Sequence, residues 1–136
     1  MKKIKGKRPG KGRLIQPPED DSEPPDDSQR PKFCLAHMAC GFSVVDCSKE
    51  QKAQFADKLR QMSSLSWAQL RHAPRHGQGY EIIARDSMLV PVPRVITEDV
   101  HIIAFRCWGI APLLGFRIRA VFHIVWLDPN FRVYPH

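Results

Sequence analysis

The chain has 136 residues, 43% hydrophobic and 26% charged, with a formal net charge of +7, a balance that suits one globular domain and a polyanionic partner. No run of about 18 apolar residues occurs, which excludes a membrane-spanning helix. The basic start is followed by no apolar stretch, so no secretory leader is expected; a cytoplasmic setting and four reduced cysteine thiols follow.

Charge is distributed in blocks. Residues 1–13 carry seven bases and no acid, and residues 19–27 carry six acids and no base. Residues 1–32 hold almost nothing to bury and cannot offset the entropy of ordering, so they read as a disordered tail ahead of a domain spanning 33–136. The basic run suits nucleic acid or an anionic surface, and the acidic run is placed to fold back and mask it. Within the domain twelve bases face eight acids, and every base after Lys58 is arginine, the better bidentate donor to phosphate.

Residues 41–46 alternate and read as a short strand. Ser48 and Gln51 form a capping box that opens a helix whose apolar stripe is Phe55, Ala56, Leu59 and Met62. Ser66 and Gln69 repeat the signal for a shorter helix with Trp67 and Leu70 inside, ended by Pro74. Residues 75–79 read as a flexible basic loop, 80–84 as a strand, 86–99 as a connection and 100–108 as a strong strand. A turn follows at 109–112. Residues 114–127 form one long β-rich run, Asp128-Pro129-Asn130 a hairpin turn, and 131–134 a closing strand. The expected fold class is α+β, a small, mainly antiparallel sheet packed against a helical pair.

Period-two geometry places Phe116, Ile118, Ala120, Phe122, Ile124 and Trp126 on one face of the long run, toward the helices. Arg117, Arg119 and His123 then share the other face. In the closing strand Arg132, Tyr134 and His136 also share a face, and pairing as a hairpin would bring the two sets together. Such a set suits RNA cleavage without a metal or other cofactor. Histidine exchanges protons near neutral pH, arginine stabilises the charge that develops on phosphorus, and tyrosine stacks or donates a hydrogen bond. Arg75, His76, Arg85 and Arg132 are further candidates for RNA contact. A solvated polar face is the plainer account of the same alternation.

Three stretches resemble the RelE/ParE-type toxins of bacterial toxin–antitoxin pairs. They are Gly79-Tyr80-Glu81-Ile82-Ile83, then Arg119-Ala120-Val121-Phe122-His123-Ile124-Val125, and finally Arg132-Val133-Tyr134-Pro135-His136. With the element order, the resemblance covers residues 41–136. It implies a RelE-like fold, RNA as partner either free or on the ribosome, and a cognate antitoxin covering the basic face. It implies a transition-state arginine at Arg119, supported by Arg117. It implies proton transfer or stacking at His136 and Tyr134, and a general base at Glu81 or Glu98. The long connection at 86–99 and the tail depart from the family pattern, and some members poison gyrase instead. A non-catalytic basic module binding nucleic acid or protein is the alternative. Cys34, His37, Cys40 and Cys47 are a ligand set of the type that binds zinc, but their spacing does not match paired knuckles.

Overall fold

A computed structural model describes residues 25–135. The fold is α+β, with five strands in one sheet and two helices. In chain order the elements are β1 (Lys32–Cys34), α1 (Lys49–Met62), α2 (Trp67–His72), β2 (Tyr80–Ile83), β3 (Ile102–Trp108), β4 (Ala111–Ile118) and β5 (Val121–Leu127). The sheet order is β1-β5-β4-β3-β2, with β1 parallel to β5 and every other pair antiparallel.

Both capping boxes form as the sequence predicts. Ser48 accepts from the Gln51 amide at 3.1 Å while the Gln51 side chain accepts from the Ser48 amide at 2.9 Å, and Ser66 and Gln69 do the same at 3.1 and 2.8 Å. Each box satisfies donors that the first helical turn leaves without partners. On α1, Phe55 and Met62 are buried, but Lys58 is buried with them, whereas Ala56 is exposed.

Residues 114–127 are two strands rather than one. The chain reverses at Arg119-Ala120, so Ile118 pairs with Val121, Arg117 with Phe122 and Phe116 with His123. A two-residue reversal makes an even-numbered position on one strand share a face with an odd-numbered one on the next. The face assignment read from the sequence therefore holds for Ala120, Phe122 and Ile124 but fails for Phe116 and Ile118, and the register shift further along the pair turns Trp126 over as well. Phe122 and Ile124 pack toward the helices with Trp67, Phe105 and Leu113, while Phe116 and Trp126 lie in the core on the opposite face with Leu114, Ile83 and Val133. Arg117 and His123 are split between the two faces. Arg119 holds the turn at φ +56°, a left-handed conformation that non-glycine residues adopt only at a cost.

The helix-side core is aromatic: Phe105 meets Phe122 edge-on at 5.2 Å between centroids, and Trp67 meets Phe122 at 6.1 Å. The other face is closed by irregular chain rather than helices, since Ile96, Val133 and Tyr134 are buried there. Residues 131–134 form no strand. The buried carboxylate of Asp128 accepts from the Arg132 and Val133 amides at 2.7 and 2.9 Å, curling the chain end back over the sheet. Residues 41–46 also differ from expectation: a short 3-10 turn covers Val44–Asp46. Residues 25–32, read from the sequence as tail, pack on the domain through a 3-10 turn at Asp26–Ser28 and the first residue of β1. Two ion pairs from Asp27 hold them there, to Arg71 and Arg117. Residues 1–24 and 136 lie outside the described residues. No helix among those described is long and apolar enough to cross a membrane.

The register of β4 and β5 shifts at Leu114/Gly115, where a Cβ on Gly115 would overlap the His123 carbonyl. Gly115→Ala should destabilise the fold by about 1–3 kcal/mol in urea denaturation. Gly77→Ala, whose added carbon would meet only the Pro74 oxygen at 3.5 Å, should be neutral or stabilising by roughly 0.5 kcal/mol.

Candidate functional site

Six of the side chains that the sequence points to line three clefts. Glu81 on β2, Tyr134 in the C-terminal turn and Arg75 in the loop before β2 line one cleft of about 330 Å³, together with Arg106 on β3. The turn at 119–120 carries Arg119, which lines a second cleft with His123 and Lys32. His76 lines a third beside Lys58 and Cys107. His136 lies outside the described residues.

The first cleft follows from strand pairing. Glu81 pairs with Ala104, and Arg106 is two residues further along the same strand, so both project from the face opposite the helices. Opposite Arg106 stands Pro112, beside a bulge between Arg106 and Trp108, where a residue without an N–H is tolerated. Arg75 is brought in by a loop that the sequence reading expected to be flexible but that is pinned. The Gly77 and Gly79 amides both donate to the Pro74 carbonyl at 2.9 Å, and a Cβ on Gly79 would overlap the Ala73 carbonyl. Gln78 accepts from the buried Lys58 ammonium at 2.9 Å and donates to Gln61 at 2.8 Å, fastening the loop to α1. Burial lowers the Lys58 pKa, and it pushes the neighbouring Cys107 thiol up to about 12.

Within the cleft Arg75 Nη1 pairs with Glu81 Oε2 at 3.2 Å, both side chains partly exposed. Such a pair contributes little to stability and exchanges readily for another anion. Tyr134 is nearly buried, and its hydroxyl pKa is pushed up to about 12, first by burial and then by Glu81 and Asp128, with Arg106 and Arg75 opposing. The phenol is therefore neutral and a hydrogen-bond donor at physiological pH. The cleft offers two guanidiniums, one carboxylate and one neutral phenol. Arg106, which the sequence expectations omit, is legible there only as a polar interruption of the apolar run that forms β3.

The remaining candidates have structural engagements. Arg117 lies over the Trp67 ring at 4.3 Å and donates to Asp27 at 2.8 Å. Its guanidinium, followed by that of Arg71, holds the Asp27 carboxyl below the ordinary carboxylate value. His123 stacks on Phe116 at 4.7 Å with His37 at 5.7 Å, and its Nδ1 is buried without a hydrogen-bond partner among the described residues. Burial and His37 together lower its pKa. Arg132 lies over Phe42 at 4.6 Å and donates to the Gly41 carbonyl. Arg85 staples the long connection through the Ile96 and Thr97 carbonyls. The zinc set is not assembled, because Cys47 is buried in the helix-side core while His37 lies against Phe116 and His123 on the other face. Among the described residues no group of three or more His, Cys, Asp or Glu is placed to hold a metal ion.

Spectrophotometric titration of Tyr80→Phe, which leaves Tyr134 as the chain's one tyrosine, should show ionisation near 12 instead of the ordinary value of 10. Because the folded pKa is raised, the stability linked to this group is fully present below about pH 10 and is lost as pH rises through about 12. Ionisation at 10 in a still-folded chain would contradict the buried placement.

No family model matches the chain, and the searches of curated proteins and solved structures found no match to it either.

Proposed function

We propose that this chain is a metal-independent endoribonuclease of the toxin type, with its reactive centre in the Arg75–Glu81–Arg106–Tyr134 cleft. The observation that carries this reading is the convergence of a carboxylate, two arginines and a neutral phenol on one concave surface. RNA cleavage by transesterification needs a base for the 2′-OH, positive charge at the phosphate oxygens and a donor for the departing 5′-oxygen. Glu81, exchanged out of its pair with Arg75 when a phosphate enters, is the base. Arg75 and Arg106 hold the non-bridging oxygens. Tyr134 donates to the leaving oxygen, giving a 2′,3′-cyclic phosphate and a 5′-hydroxyl. The net positive charge supports attraction to RNA. The resemblance of element order and short stretches to RelE/ParE-type toxins supports the same class, and with it a cognate antitoxin that would cover this basic end of the sheet.

This reading puts the centre away from Arg117, Arg119 and His123, because the β4–β5 turn leaves Arg117 and His123 on opposite faces of the sheet. A second reading, RNA binding without cleavage, is favoured by the Arg75–Glu81 ion pair, which occupies the base in this structure.

Purified chain incubated with RNA should produce discrete new ends carrying cyclic phosphate. Arg106→Gln should lower the cleavage rate about 10²-fold or more, and Glu81→Gln by a similar factor, with RNA affinity kept within a few-fold in Glu81→Gln. RNA bound but uncut by wild type would leave the binding module. Cleavage unaffected by either substitution would place the centre elsewhere.

A further inference from the structure

A second basic surface lies on the other side of the sheet, and this chain already holds anions on it. Asp27 sits between two guanidiniums, with Oδ2 on Arg71 at 2.7 Å and Oδ1 on Arg117 at 2.8 Å. The preceding residue, Asp26, reaches Arg119 at 3.6 Å. Two successive carboxylates thus meet three arginines. Around the β4–β5 turn from them, on the face that carries His123, a cleft of about 280 Å³ is lined by Lys32, Arg119 and His123, with Asp26 as its one acid.

We propose that Arg71, Arg117 and Arg119 form a surface for the RNA phosphate backbone, which Asp26 and Asp27 occupy as stand-ins for successive phosphates and yield when RNA binds. The inference rests on the RNA reading above but not on cleavage. The geometry favours phosphate: one anion presents two oxygens to two guanidiniums, as a phosphodiester does with its non-bridging pair. Arg71 and Arg119 are 45% and 70% exposed, open to a ligand from solvent. Trp67, beneath Arg117, is fully buried and leaves no platform for base stacking, so the surface reads backbone and not sequence. The clasp is displaceable at Arg71 and Arg119, where both partners are exposed and such pairs are weak, whereas Arg117, 18% exposed, makes the firmer pair. A polyphosphate adds counterion release that two carboxylates lack.

The test uses the full chain and a labelled 2′-O-methyl oligouridine, which cannot be cleaved, in fluorescence anisotropy across a salt series. Asp26→Asn with Asp27→Asn should bind about tenfold tighter at low salt, because RNA no longer has to displace two carboxylates, while the log affinity–log salt slope, set by the phosphates contacted, stays that of wild type. Glu50→Gln with Asp86→Asn, which changes net charge equally at exposed positions elsewhere, should tighten binding by no more than about twofold. Arg71→Gln with Arg119→Gln should cancel the gain and, in the otherwise wild-type chain, weaken binding; thermal melts check that each variant is folded. An Asn variant that binds like the charge-matched control overturns the proposal, as does full wild-type affinity and slope in the Arg71→Gln, Arg119→Gln chain. An affinity gain without cleavage of ordinary RNA by any variant leaves this surface standing and removes the nuclease reading. Cleavage without the gain does the reverse.

Discussion

The carbonyl oxygen of Ala120 accepts from the Lys32 amide at 3.0 Å and from the Trp67 indole nitrogen at 2.9 Å. One acceptor in the β4–β5 turn thereby fixes the edge strand β1 and the helix α2 against the same corner of the sheet. The Trp67 amide, in turn, donates to the Gln29 carbonyl at 3.0 Å, so the segment before β1 docks on the start of α2. With the indole anchored, its ring faces Phe122 and supports Arg117, which completes the grip on Asp27. A buried carbonyl with two donors is fully satisfied and leaves no slack. The strained turn at Arg119 presents it in that direction.

Local signals are legible in the sequence because they depend on neighbours a few residues apart. Ser48/Gln51 and Ser66/Gln69 need only helical spacing, and Pro74 needs only its own ring. The two-residue reversal at 119–120 carries no Gly, Asn or Asp, so nothing local announced it, and one missed turn reversed the face of every residue before it. Asp128 was read correctly as a turn residue. Its effect on the chain end was hidden, because a carboxylate capping two amides produces a curl and not a strand. The first residues of β1 were hidden too, because a three-residue strand among charged neighbours shows no period and takes its stability from a partner far along the chain.

The candidate cleft was half legible. Glu81, Arg75 and Tyr134 were named, but from separate stretches and for separate reasons; what joins them is the register of β2 on β3 and the Asp128 curl. Arg106 became visible only when that register put it two positions beyond the partner of Glu81. Buried Lys58 also escaped, since a lysine on an apolar stripe reads as a solvated stem until its partner, Gln78, is found twenty residues later. The two arginine surfaces differ in character. In the cleft one ion pair joins Arg75 to Glu81, whereas at the β4–β5 corner the anions come from a segment remote in sequence.

That remoteness has a kinetic side. The β3-β4-β5 meander is joined by tight turns and assembles from short-range contacts, whereas pairing Lys32 with Val121 closes a loop spanning most of the described chain. Closing such a loop costs more entropy than closing a hairpin, and its contacts are made later. The edge that carries Asp26 and Asp27 is therefore the part of the sheet whose pairing closes the longest loop. Its local opening breaks the β1–β5 pairing, the bond from the Trp67 amide to the Gln29 carbonyl and the ion pairs of Asp26 and Asp27, and leaves the meander intact.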